Sequence, residues 1–250
     1  MREIGSFKDM ATRVHALLDQ ADGSDIAIFP QLFTIELFTT LPNWRERPIA
    51  ELVKIAEHTQ ACRDLFRSEA KRRGLFIGAG SNLEEVSPDR YENIAHLFGP
   101  DGEHFMHAKT HIFPAEAAWS TSEGDRMEAF RLPFAKVGFN VCYETEIPEC
   151  AAAPAEQGGG ELILTPSAAF TEQGFWRVRH CAGPLYREPG LSGPLLPRWP
   201  ARHAAAGRAG AQIGPRALRH GLRHPVRDHR RGPDQCRDDC HRHGEPRPAP

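Results

Sequence analysis

What most limits the fold of this chain is an alternation of two periodicities. Short apolar runs, each closed by Pro, Gly or a polar turn, are separated by stretches with helical spacing. "SDIAIFP" reads as a buried strand stopped by Pro30. "LFIGAGSN" reads as a strand entering a turn, and "NIAHLFGPDGE" as a strand meeting a Pro-Asp-Gly turn. "AKVGFNVCYE" alternates Val137, Phe139 and Val141 before a helix expected from about Pro148, and "GGGELILTPSAAF" adds a turn, a strand and another Pro. Between these lie a helix over about Phe7–Gln20, with Met10, Val14, Leu17 and Leu18 on one face, and one long amphipathic helix over "IAELVKIAEHTQACRDLFRSEAKRRG", stopped at Gly74. Strands interleaved with helices predict a layered α/β fold; the number of sheets is not readable from the pattern.

At 250 residues the chain can bury a substantial core. A formal charge of −2 offers no global field for nucleic acid or an anionic membrane, and no apolar run reaches the roughly 18 residues a membrane helix needs. The opening MREIGSFKDM has no apolar centre of a secretory signal. Six irregularly spaced cysteines do not form a disulfide framework, so a reducing cytoplasm is the expected compartment. The composition has a seam: beyond Cys181 there is no Lys and no Phe, and Arg, His, Pro, Gly and Ala dominate. Such a tail buries too little to offset its ordering entropy and is expected to be disordered.

Three stretches could carry chemistry together. In "GFNVCYETEIPE" a single cysteine, Cys142, stands at a strand-to-helix junction, where a side chain is accessible and helix-start N–H groups are unpaired. "HAKTHIFPAE" places Lys109 between two histidines and ahead of Glu116, and "IFPQLF" ends a strand with Pro30-Gln31. Alone, each has an ordinary reading: a packed thiol, a solvated lysine, a polar strand end. A thiol nucleophile needs a base, a cation or N–H donors for the oxyanion, and access.

In this order the three stretches resemble the nitrilase superfamily of carbon–nitrogen hydrolases. Lys109-Thr110-His111-Ile112-Phe113-Pro114 matches its lysine element, and Cys142-Tyr143-Glu144 through Pro148-Glu149 its cysteine element. "NIAHLFGPDGE", "TPSAAF" and "GFWRVRHCA" look like an amidohydrolase branch, and the resemblance covers residues 1 to about 182. It implies an αββα sandwich and hydrolysis of an amide, nitrile or N-carbamoyl bond through a thioester on Cys142. Lys109 and the Tyr143 backbone N–H would hold the oxyanion, and Glu116 would be the additional acidic residue that orients groups. No metal or organic cofactor is implied. The partner is a small-molecule amide or nitrile rather than nucleic acid or membrane, and the intact family suggests a homo-oligomer.

Two departures stand out. Gln31 occupies the position of the family's general-base glutamate, and an amide cannot accept a proton at neutral pH. Glu36 is too far along the chain to replace it. The alternative reading is therefore an inactive, pseudogene-like fragment. In the second departure, "CAGPLYREPGLS" has an allowed encoding that, displaced by one base, reads Ala-Gln-Ala-Arg-Cys-Ile-Glu-Asn-Gln-Val-Tyr, the family's continuation. Residues 1–182 are thus expected to be a partial hydrolase domain, and 183–250 an out-of-frame tail. The resemblance also implies a core strand ahead of MREIGSF, leaving open sheet edges. "CRDDCHRH" (Cys236, Cys240, His241, His243) has no partner motif for zinc, and "GAGSN" lacks a dinucleotide loop's spacing. His107 and His111 are expected to pack or hydrogen-bond.

Overall fold

A computed structural model describes residues 2–21, 23–119, 121–168 and 211–213. The first helix, α1 (Phe7–Leu18), starts where the Ser6 side chain accepts the Asp9 N–H, and it buries Met10, Val14 and Leu18. Strand β1 (Ile26–Ile28) follows and is only three residues long. The single long helix expected after Pro48 is two segments. Ile49–His58 is a 3₁₀ helix, and α2 (Thr59–Arg73) is an α-helix closed by Gly74 in the left-handed region. The buried residues of the 3₁₀ segment, Leu52 and Ile55, are three apart, which aligns them on one edge of a helix with three residues per turn.

The turn expected within "LFIGAGSN" is absent. Strand β2 (Phe76–Ser87) runs through it, with a shift of register between Gly78 and Ser81. Gly80 at φ +68° takes up that shift, and a Cβ there would lie 2.0 Å from the Pro30 carbonyl oxygen. The bulge therefore lets the end of β1, and with it Gln31, sit against β2. Strands β3 (Arg90–Phe98) and β4 (His104–Ala108) continue as antiparallel neighbours around the Gly99–Glu103 turn. A short β5 (Thr121–Ser122) pairs with the start of β3.

The second sheet is β6 (Ala129–Arg131), β7 (Lys136–Phe139) and β8 (Leu162–Leu164), in that order, with β7 and β8 parallel. Between them in sequence lies α3 (Pro148–Gly158). The first sheet runs β4-β3-β2-β1, and β9 (Ala211–Ile213) pairs antiparallel with the outer edge of β1. The open sheet edge expected at β1 is therefore covered by β9, which comes from the C-terminal stretch. The remainder of that stretch, including the candidate zinc ligands, lies outside the described residues.

The layers follow from which way each strand's side chains point. Ala27, Ile77 and Phe98 join α1 and α2 in one core, whereas Ile26, Phe76 and Leu97 face Val137, Phe139, Leu162 and Leu164 of the second sheet in another. On the far side of β7, a Cβ on Gly138 would come within 2.9 Å of Pro154, so α3 lies directly on that sheet. The order is helix, sheet, sheet, helix. The short central strands β1, β7 and β8 are covered on both faces, which explains their near-continuous apolar runs.

Candidate active site

Three chain segments converge where β1, β4 and β7 end. After β1, Gln31 is buried, and Leu32 adopts φ +51°. After β4, Lys109 is fully buried, with its N–H on the Asn93 carbonyl at 2.9 Å. After β7, Cys142 opens a 3₁₀ turn, Cys142–Glu146, at φ +52°. Among the described residues the other non-glycine positions with positive φ are Asn43 and Asp89, types that tolerate it; Leu32 and Cys142 are not such types, and both are at this site. A left-handed cysteine costs about 1–3 kcal/mol and persists only where its surroundings hold it. Here the Cys142 N–H donates to the Pro166 carbonyl at 3.0 Å.

Glu116 is at the centre of the polar contacts. One carboxylate oxygen accepts from Asn93 Nδ2 at 2.7 Å and Gln31 Nε2 at 3.3 Å; the other accepts from the Phe113 N–H at 2.7 Å and from Lys109 Nζ. Gln31 in turn accepts the Ala168 N–H through Oε1 at 3.2 Å. That same Ala168 N–H acts on the Cys142 sulfur, as does the Lys109 charge. Gln31, Lys109, Glu116 and Cys142 thus belong to one connected polar cluster. Burial is the largest influence on the thiol and pushes its pKa up, with Glu116 and Glu146 in the same direction. Lys109 and the Ala168 N–H oppose them without cancelling them, so the sulfur is protonated at neutral pH.

Tyr143 follows Cys142 in the 3₁₀ turn, and its ring meets Phe113 edge-on at 5.6 Å, forming an aromatic rim beside the site. His107 hydrogen-bonds Glu144, and His111 contacts Thr110 Oγ1 at 2.9 Å and the Cys150 sulfur at 3.3 Å. Glu36 pairs with Arg13. Asn93, Ala168 and Glu144 had no assigned part in the sequence reading. Asn93 carries no distinguishing signal, because its strand also holds the polar residues Arg90, Glu92 and His96. Ala168 contributes only its backbone, which no residue type advertises. Among the described residues no cluster of His, Cys, Asp or Glu is arranged to hold a metal, and no helix is long and apolar enough to cross a membrane.

Residues 5–186 match the carbon–nitrogen hydrolase family. The chain is 35% identical over 185 residues to the probable hydrolase YhcX of Bacillus subtilis, covering 73% of this chain and 35% of that protein. It is 30% identical over 180 residues to mouse omega-amidase NIT2, covering 66% of this chain and 60% of that one. The chain therefore spans about a third of the first relative and three fifths of the second. Its fold is similar to a carbon–nitrogen hydrolase of Helicobacter pylori, with TM-score 0.58, 20% identity and coverage of 72% and 66%. It is also similar to a Nesterenkonia amidase, solved as a glutamate-to-glutamine variant carrying the acetamide moiety of fluoroacetamide on its active-site cysteine, with TM-score 0.57, 20% identity and coverage of 69% and 64%.

Proposed function

The chain belongs to the carbon–nitrogen hydrolase family, and from that premise we propose that it attacks small amides through Cys142 and completes their hydrolysis poorly. The Cys142 sulfur would add to the carbonyl carbon, sending the π electrons onto oxygen beside Lys109 and the Tyr143 N–H. Collapse of that adduct breaks the C–N bond, and the amine leaves with the proton given up by the thiol. Water then cleaves the thioester to release the acid. Amides are favoured over nitriles and N-carbamoyl compounds because the relative that this chain covers further is an omega-amidase.

The observation that carries this reading is the connected cluster: a half-buried sulfur within the field of a buried lysine, with Gln31 tied to both through Ala168 and Glu116. The same cluster explains the expected weakness. A protonated thiol needs a base, and Gln31 supplies none; loss of general-base assistance costs about 10²–10⁴-fold in rate. Glu116 is the carboxylate at hand, but it already receives four donors. This gives the inactive-fragment reading its own support.

Ammonia release from short primary amides, measured for the chain, Gln31→Glu and Cys142→Ser, tests the proposal. Gln31→Glu should raise turnover by about 10²–10⁴-fold, and Cys142→Ser should abolish it. If Gln31→Glu remains silent on every amide tried, the inactive-fragment reading replaces this one. We further propose that residues 183–250 are translated out of frame. Resequencing the gene tests that, and a clean read of the present frame would end it.

A further inference from the structure

We infer that Glu144 is a positioning residue that sets the reach between Lys109 and Cys142, an inference that rests on those two groups acting on one carbonyl. Glu144 lies two residues beyond Cys142, with its side chain fully buried. One carboxylate oxygen accepts the Thr110 N–H at 2.7 Å and the Thr110 hydroxyl at 2.8 Å. The other accepts the Val141 N–H at 2.6 Å and His107 Nε2 at 2.9 Å. The donors on one side are thus residues 107 and 110, which straddle the lysine; the donor on the other is residue 141, which precedes the cysteine. A single ionised group ties together the two segments, through bonds from Glu144 that span 34 and 37 residues of sequence.

The tie acts where the backbone needs it. Cys142 is left-handed, and its neighbour's N–H is held by this carboxylate while its own is held by Pro166. Without the first bond the turn can relax, and the sulfur moves relative to the lysine. The charges that act most on Cys142 are those of Lys109, Glu116 and Glu146. Glu144 itself faces His107 and the Cys150 thiol. Burial raises its pKa, but the His107 bond and charge together with the Val141 and Thr110 N–H donors outweigh that, leaving the carboxyl below its usual range. It is ionised, so it can accept all four bonds. A glutamine would aim an NH₂ at one of those donors and lose that side of the tie.

Iodoacetamide labelling of Cys142 across pH, read at that residue by mass spectrometry, tests this without requiring turnover. Lys109→Met should shift the labelling profile to higher pH, because the thiolate loses its cation. Glu144→Gln should shift it in the same direction, slowing labelling near neutral pH by about three- to tenfold. In the double variant Lys109→Met/Glu144→Gln the profile should move no further than with Lys109→Met alone. Thr110→Val, which deletes the hydroxyl donor and its His111 contact while keeping the N–H donor, should give a smaller shift of the same sign and serves if Glu144→Gln fails to fold. Profiles of Glu144→Gln and Thr110→Val that superimpose on the parent's while Lys109→Met moves would overturn the role of Glu144 and leave the lysine–cysteine pairing standing. No shift with Lys109→Met would remove that pairing, and this inference with it.

Discussion

Residue 31 decides what this site can do with a proton. Its amide bridges Glu116 and the Ala168 N–H, donating to one and accepting from the other, a pairing that a carboxylate could not reproduce. Gln31→Glu would set a second carboxylate 3.3 Å from the first, so one of the two must hold a proton or rearrange around Lys109. The gain in turnover expected from that substitution should therefore come with a loss of stability. Glu116 makes the complementary case. Its partner Lys109 is fully buried, and removing one member of a buried ion pair leaves the other uncompensated. Lys109→Met should destabilise the fold by about 3–5 kcal/mol, seen as a lower urea midpoint at unchanged slope. Loss of both charges in Lys109→Met/Glu116→Gln should recover part of this. A double variant less stable than the single would count against the pair's coupling.

At the scale of elements, the site is assembled from strand ends, and the bulge in β2 governs how closely one of them approaches. Gly80→Ala would drive a methyl group into the Pro30 carbonyl in a conformation that L residues avoid. The strand end would have to withdraw, carrying Gln31 with it. A fall in melting temperature together with altered Cys142 labelling is the expected outcome; a lowered melting temperature with unchanged labelling would separate the bulge from the site. The same element shows why "LFIGAGSN" misleads. Gly78 and Gly80 look like a turn in one dimension, and only contact with Pro30 reveals a strand that must make room for a carbonyl.

For the whole molecule, acid sensitivity should come from outside the site. His104 lies on β4, stacked on Phe98 with ring centroids 4.4 Å apart and hydrogen-bonded to His96 at 3.0 Å. Burial, then repulsion from His96, Arg63 and Arg67, lowers its pKa from 6.5 to about 4. The unfolded chain binds this proton more readily than the folded one. The contribution to stability is therefore complete above pH 6.5 and is lost as pH falls toward about 4. Urea midpoints measured between pH 7 and pH 4 should decline, and His104→Leu should flatten that decline. An equally steep fall in the variant would move the cause elsewhere.

Much of the candidate site was legible because the residues that carry it lie in short local patterns. A cysteine after an apolar strand, a lysine before His-x-x-Pro and a glutamine after a strand-end proline are short-range patterns, and strand–helix alternation announces a layered α/β chain. Helix α1 and strands β3, β7 and β8 followed from periodicity alone. The division of 49–73 into 3₁₀ and α segments did not, because apolar spacing of three and four residues occurs in both. What tertiary structure alone decided was the wiring between segments: Asn93 and Gln31 on Glu116, the Ala168 N–H facing both amide and sulfur, and Glu144 spanning the lysine and cysteine turns. Apart from the local Val141–Glu144 bond, the hydrogen bonds in this wiring join residues from 23 to 137 positions apart. A backbone N–H carries no residue identity and a buried carboxylate no label of its partner, so nothing in the linear order could reveal them.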